Sequence, residues 1–166
     1  MRYILKEMKW LFVFVMPIYV WAQAPIEVTE VPVIAQDKFK KLYPKARDVY
    51  WAKFKDGSIE GGYTDTLTKT GYSSVFDMNN IEIEAITNYA SLVGGADLPA
   101  KIGLSKEIFF TMLLYMKEKQ IAFGDWVDVV TLKKDGKKVY RPYSKSGLPY
   151  AEFDGKGNFI RLLGYR

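Results

Sequence analysis

The sequence predicts an α+β protein in which a helix followed by a four-stranded antiparallel meander occurs twice. Three observations carry that expectation. Apolar residues recur at helical spacing in two places, each downstream of a proline. Eight short runs rich in β-branched and aromatic residues are divided by turn pairs such as Asp-Gly, Thr-Gly and Asn-Asn. Connections that short force antiparallel neighbours, because a parallel crossover needs about a dozen residues or more. Finally, Lys55-Asp56-Gly57 recurs as Lys134-Asp135-Gly136, Tyr63 as Tyr140, Gly71 as Gly147, Phe76-Asp77 as Phe153-Asp154 and Trp51 approximately as Trp126. The offsets are 79, 77, 76, 77 and 75 positions. Such ordered recurrence with small slips is what a duplicated unit with loop insertions produces.

The chain opens on an export signal. Arg2, Lys6 and Lys9 make a positive start, diluted by Glu7. Trp10 to Val20 is uncharged and apolar, and Ala22 and Ala24 follow. That order describes a secretory signal peptide. A retained anchor would need about 20 apolar residues, and this run is shorter and broken by Pro17. Cutting after Ala24 would put Pro25 next to the scissile bond, where its fixed φ and missing N–H are unfavourable. Cleavage between Ala22 and Gln23 is therefore preferred. The expected organisation is 1–22 signal, 23–90 first helix-plus-sheet repeat and 91–166 second repeat, the two repeats forming one compact unit with no stable membrane anchor.

In the first repeat, Pro32 suits an early helical position, where its missing N–H costs nothing. Val31, Ala35, Phe39 and Leu42 form one face, and Pro44 ends the helix. Strands follow at Val49 to Phe54, Tyr63 to Leu67, Tyr72 to Phe76 and Ile81 to Tyr89. Asn88 to Lys101, with Gly94-Gly95, reads as the connection between repeats. Pro99 opens the second, and a helix from about Ser105 to Gln120 has Ser105 as N-cap candidate and Glu107 favourably placed in its first turn. Ile108 to Met116 is almost wholly apolar, so this helix is expected to be covered on most of its circumference. The last strands are Trp126 to Leu132, Lys138 to Tyr143, Tyr150 to Phe153 and Phe159 to Leu163.

Composition excludes whole classes of chemistry. The 166 residues include no histidine and no cysteine. That removes disulfide frameworks, zinc ribbons, iron–sulfur clusters, thiol nucleophiles, Ser-His-Asp triads and imidazole bases. Lys+Arg number 24 against 19 Asp+Glu. Without the first 22 residues the balance is 21 against 18, or +3, an ordinary surface. The pairs Lys133-Lys134 and Lys137-Lys138 flank a turn, and no aromatic-basic stripe extends them, so no nucleic-acid partner is expected.

The stretch Phe39-Lys-Lys-Leu-Tyr-Pro-Lys-Ala-Arg-Asp-Val-Tyr-Trp51 resembles the opening of PepSY-like domains of the beta-lactamase-inhibitor-like group, in which a helix ends in an aromatic-Pro-x-Ala turn before a Val-x-Trp strand. Val75-Phe76-Asp77-Met78-Asn79-Asn80 is similar to that family's final hairpin, and Glu152-Phe153-Asp154-Gly155-Lys156-Gly157 repeats it. The second half lacks the aromatic-Pro-x-Ala element. The resemblance implies an exported envelope protein, periplasmic or secreted, with helices packed on one face of the sheet and the opposite face exposed for protein binding. It supplies no catalytic residue, cofactor or metal.

Strand alternation locates that face. With Trp51 in the core, Tyr50 and Phe54 point outward, and Tyr63, Tyr140, Tyr143 and Tyr150 are further candidates for the outer surface. Tyrosine and tryptophan dominate protein-binding hot spots because they bury large areas with few rotors; the same rings also serve as core and as cross-strand pairs. Asp77 to Glu82 has alternating oxygen ligands, but it lacks a calcium loop's central glycine and distal Glu, so a hairpin turn is expected. Glu82 and Glu84, two apart on a strand, should share an exposed face. The expected function is a non-enzymatic protein-binding module, acting on another envelope or secreted protein and inhibiting a peptidase or other enzyme in one version of that role. The alternatives are an accessory or structural subunit of an outer-envelope complex and, less favoured, a carboxylate-dependent hydrolase.

Overall fold

The computed structural model describes residues 23–90, 97–121, 123–144 and 150–163. The signal segment with Ala22, and the Gly94-Gly95 and Ser146-Gly147 turns, lie outside the described residues. Nine strands are described: β1 (Gln23–Pro25), β2 (Tyr50–Phe54), β3 (Ile59–Asp65), β4 (Thr70–Phe76), β5 (Glu82–Ala90), β6 (Phe123–Leu132), β7 (Lys138–Ser144), β8 (Tyr150–Asp154) and β9 (Phe159–Leu163). Helices α1 (Val33–Leu42), α2 (Leu98–Lys101) and α3 (Lys106–Glu118) complete the fold. The strands form one continuous antiparallel sheet in sequence order, β1 to β9.

Turn chemistry explains the meander. In the five described hairpins between β2 and β5 and between β6 and β9, an aspartate at the turn accepts backbone N–H groups two residues on: Asp56 from Ser58, Asp65 from Leu67, Asp77 from Asn79, Asp135 from Lys137 and Asp154 from Lys156. Asp77 also accepts from Ile81, at 2.8 Å, so the Asp77 to Glu82 stretch is a turn, as expected. Gly57 and Gly136 follow their aspartates at φ +83° and +69°, a region in which a Cβ would be strained.

The sheet is not two separate four-stranded meanders. β5 and β6 pair over seven registered positions, from Glu84↔Leu132 to Ala90↔Trp126, and join the halves into one ladder. Gln23–Pro25 adds an edge strand on β2 that hydrophobic patterning could not show in three residues. Asn88 and Tyr89, where the expected strand Ile81 to Tyr89 and the expected connection Asn88 to Lys101 overlapped, are ladder residues of β5.

Residues directly opposite on adjacent strands share a face, so the registers assign every position. Trp51, Gly61, Ser74 and Ala85 lie on one face, and so do Tyr89, Val127 and Pro142. Both helices cover that face. Under α1, Val31, Ala35 and Phe39 pack with Trp51, Ile59 and Phe76. Under α2 and α3, Leu98, Phe109, Met112 and Met116 pack with Val127, Tyr140, Ala151 and Phe153. Leu42, expected in the first core, is exposed because α1 ends there; Tyr43 closes that core instead, its ring 4.8 Å from Phe39. Ser105 caps α3 as expected, accepting from the Ile108 N–H. The helix is less covered than its composition suggested: Phe110 and Leu114, one turn apart, are 62% and 63% exposed, because α3 meets the sheet along one stripe only.

Candidate functional site

The helix-free face carries Tyr50, Ala52 and Phe54 of β2, Glu60 and Gly62 of β3, Ser73 and Val75 of β4, Glu84, Ile86 and Asn88 of β5, Trp126, Asp128 and Val130 of β6, and Val139, Arg141 and Tyr143 of β7. Two successive glycines of β3 set its geometry. A Cβ at Gly61 would sit 2.6 Å from the Trp51 ring on the helix side, and one at Gly62 would overlap the Tyr50 ring on the other. Two neighbouring aromatics of β2 thus lie across β3 on opposite faces, each over a bare backbone.

Tyr50 is held in that pose. Its hydroxyl donates to Glu60 Oε1 at 2.9 Å, while 48% of the residue stays exposed. Burial first, then the Glu60 charge, raises its pKa, so the phenol is neutral. Beside it lies a cavity of about 150 Å³ to which every strand from β2 to β7 contributes; Tyr50, Glu60, Ser73, Asn88, Asp128 and Tyr143 are among its polar lining, with Tyr63, Thr64 and Tyr72 also on its wall. In a flat sheet, strands spaced about 4.8 Å apart would put β2 and β7 roughly 24 Å from each other. That is beyond the combined reach of two tyrosines, so the sheet curls toward this face. Bulges at Val75/Phe76 and between Phe123 and Val127 supply local bends.

Asp128 is the buried acid of the cavity, 6% exposed. It accepts from Asn88 Nδ2 at 2.7 Å. Burial is the main cause that pushes its pKa up to about 6, opposed by the Asn88 hydrogen bond, reinforced by the Glu60 charge, and moderated by Tyr143 and Arg141.

The neighbouring part of the same face is closed by ions. Arg141 donates from both terminal nitrogens to Glu84, each at 2.9 Å, and from Nε to Glu152 at 2.8 Å. Arg161 donates to the other Glu152 oxygen at 2.9 Å. Arg141, Glu84 and Glu152 are all buried. Burial works against the Arg141 charge, but the hydrogen bonds and charges of Glu84 and Glu152 outweigh it and raise its pKa.

Of the six rings proposed from sequence, the structure brings Tyr50, Tyr63 and Tyr143 to the wall of the cavity, Tyr63 from the helix side, and places Phe54, half-buried, on the helix-free face. Two placements are corrected. Tyr140, 4% exposed, opposes Val129 on the helix side and belongs to the core under α3. Tyr63 opposes Tyr72 on the helix side and stacks between it and Tyr43, with centroids at 5.4 and 5.5 Å. Both errors come from treating a strand tyrosine as amphipathic without fixing its parity. Tyr150 lies in β8, but its side chain is outside the described residues. Glu82 and Glu84 do not share a face, because the β4–β5 bulge inserts Ile83: Glu82 opposes Phe76 and accepts from Ser74 on the helix side, whereas Glu84 opposes Val75 and binds Arg141. Trp126, 46% exposed on the helix-free face, was missed as a site residue. Its signal was the alternation Trp126, Asp128, Val130 against Val127 and Val129. Among the described residues no group of three or more acids is placed to hold a metal ion.

Fold and face together define a class: one antiparallel sheet, helices on one side, an aromatic and acidic surface on the other. Solved structures share this fold. A Bacteroides eggerthii protein provisionally assigned to the periplasm matches with a TM-score of 0.57 at 16% identity, over 81% of this chain and 88% of its own. A DUF2874 family protein from Bacteroides uniformis gives 0.58 at 14% identity, over 81% and 89%. A BLIP-like protein from Bacteroides fragilis gives 0.52 at 15% identity, over 80% and 85%. No protein-family model and no curated protein matches the sequence. The chain therefore has a BLIP-like fold, and among its described residues no helix is long and apolar enough to cross a membrane.

Proposed function

We propose that the chain is an exported, non-enzymatic module, periplasmic or secreted, that binds another protein through the helix-free face. The observation that carries this reading is the Tyr50 pose: a large ring held over Gly62 by its own hydroxyl, half exposed on a face that no helix covers. A ring fixed in advance loses little rotamer entropy on binding. Trp126 adds a second exposed aromatic on the same face. Export is supported by the basic, apolar, Ala-x-Ala order of the first residues, and agrees with the periplasmic assignment of one structural neighbour. Inhibition of an enzyme is a narrower version, suggested by the beta-lactamase-inhibitor-like resemblance. PepSY kinship rests on the Phe39 to Trp51 stretch and the Phe-Asp hairpin motif, and internal duplication on the recurring residues.

Two other readings each have one observation behind them. The exposed Phe110 and Leu114 of α3 favour an accessory subunit with a permanent partner. The paired Glu60 and Asp128 favour a carboxylate hydrolase, but a cavity near 150 Å³ is small against the roughly 300–1,000 Å³ of sites that bury an organic ligand.

The test is capture from the native envelope by the wild-type protein and by Tyr50→Ala and Phe54→Ala. The expected result is a partner held by the wild type and retained at least tenfold less by the variants. Equal retention overturns the sheet-face reading, and turnover of a substrate without any partner replaces it with the enzyme.

A further inference from the structure

We propose that the cavity beside Tyr50 is a socket for one lysine ammonium presented by the partner protein; this rests on the helix-free face being the binding face. Size is the first observation. At roughly 30 Å³ per water, 150 Å³ holds about five waters, or the five heavy atoms of a lysine side chain.

Wall chemistry is the second. Carboxylates enter from two different strands, Glu60 from β3 and Asp128 from β6, and the polar lining beside them includes the phenols of Tyr50 and Tyr143, the Ser73 hydroxyl and the Asn88 amide. The groups that donate to Asp128 are neutral, Asn88 and Tyr143. The nearest guanidinium, Arg141, is bonded to Glu84 and Glu152, and Arg161 to Glu152. Two arginines thus meet two glutamates, and the ion network lends the cavity no net positive charge. An ammonium brings three N–H donors and one positive charge. It could add hydrogen bonds to both carboxylates and to a phenol oxygen while its charge lies against tyrosine rings.

Access is the third. The cavity opens on the helix-free face under the exposed edge of Tyr50, so a side chain from a docked protein reaches it without movement of the backbone.

The probe is n-butylammonium, which has the same five heavy atoms, titrated into the protein at pH 7.5. Shifts of the Asn88 side-chain amide and the Tyr50 ring are followed by NMR. Saturable shifts are expected, at least tenfold weaker in Asp128→Asn and in Glu60→Gln, unchanged in the remote Phe110→Ala, and absent with neutral 1-butanol, which has the same five heavy atoms. Lowering the pH from 7.5 to 5 should weaken binding about tenfold as Asp128 takes up its proton; the other charged or titratable groups facing it are Glu60, Tyr50, Tyr143 and Arg141. No saturable shift up to 100 mM (roughly a thousandfold above a site of about 0.1 mM affinity), equal binding of 1-butanol, or indifference to Asp128→Asn overturns the socket. A partner captured through Tyr50 yet unaffected by Asp128→Asn removes the socket and leaves the sheet-face reading. Butylammonium bound in the wild type, with a partner that ignores Tyr50 and Phe54, removes the sheet-face reading and leaves the socket as a bare cation site.

Discussion

Replacing Asp128 with asparagine should stabilise the protein at neutral pH, and the size of the effect follows from its burial. Its carboxyl ordinarily titrates at 3.8 and here titrates at about 6. The difference, about two units at 1.36 kcal/mol each, is about 3 kcal/mol. A raised carboxyl pKa means that the folded state holds the proton more tightly than the unfolded one, so the linked stability is fully present below pH 4 and is lost as the pH rises to 6 and beyond. Asparagine copies the shape of the protonated acid and never ionises. The variant and the wild type should therefore be equally stable near pH 4 and diverge above it. At pH 7.5 the gap should reach about 1–3 kcal/mol, the lower figure allowing for a weakened hydrogen bond to Asn88 or Tyr143 at about 1 kcal/mol each. Urea denaturation followed by tryptophan fluorescence at pH 4, 5, 6 and 7.5 measures it. Exposed acids whose pKa is lowered, such as Asp65, Asp135 and Glu107, act with the opposite sign, but they are common to both proteins and cancel in the difference. A gap that does not change with pH, or a variant less stable than the wild type at pH 7.5, would refute the reasoning.

Two further predictions use the same face. Arg141→Ala leaves Glu84 and Glu152 buried without their shared cation and should cost about 3–5 kcal/mol, whereas Arg161→Ala, at a side chain 53% exposed, should cost under about 1 kcal/mol; thermal denaturation of both separates a sealed network from a surface pair. Gly61→Ala drives a Cβ into the buried Trp51 ring and should cost about 1–3 kcal/mol. Gly62→Ala meets Tyr50, which can swing into solvent, so its stability should fall by less than about 1 kcal/mol while the hydroxyl leaves Glu60 and the butylammonium shift disappears.

Patterning along the chain was enough to find both long helices, the N-cap at Ser105, most of the turn aspartates and the eight longer strands, because each is decided by residues within a few positions of one another. The strand expected at Tyr63 to Leu67 was misplaced, since β3 is Ile59–Asp65 and Asp65, read as strand interior, makes the turn. The parity argument at Trp51 was also local, and it placed Tyr50 and Phe54 on the correct face. Strand residues judged by type rather than by parity were placed wrongly: Tyr140 alternates with Arg141, and its side follows only from pairing Val129↔Tyr140 back through β5 to β2. The bulge that separates Glu82 from Glu84 depends on how Phe76 meets β5, and nothing in either strand alone announces it. The cavity was the least legible feature, since its lining is drawn from six strands. Its one local trace was an aspartate inside the apolar run from Trp126 to Leu132.

That aspartate also bears on what the face is for. Elsewhere on it, burial of charge is fully matched: Glu84 and Glu152 each bind an arginine, and the network closes the surface. At Asp128 the chain keeps a buried acid whose pKa is raised chiefly by burial, where an amide of the same shape is expected to fold more tightly at neutral pH. Local choices that oppose stability are expected where function needs them. A purely structural face would have no use for the penalty, and a water-filled gap would not need an acid inside it. The two experiments on Asp128→Asn therefore bear on one idea from opposite sides: a variant that folds more tightly and binds butylammonium less assigns the carboxylate to binding. If it folds more tightly and binds equally well, the acid has no role in cation recognition, and the face must recognise its partner through Tyr50, Phe54 and Trp126 alone.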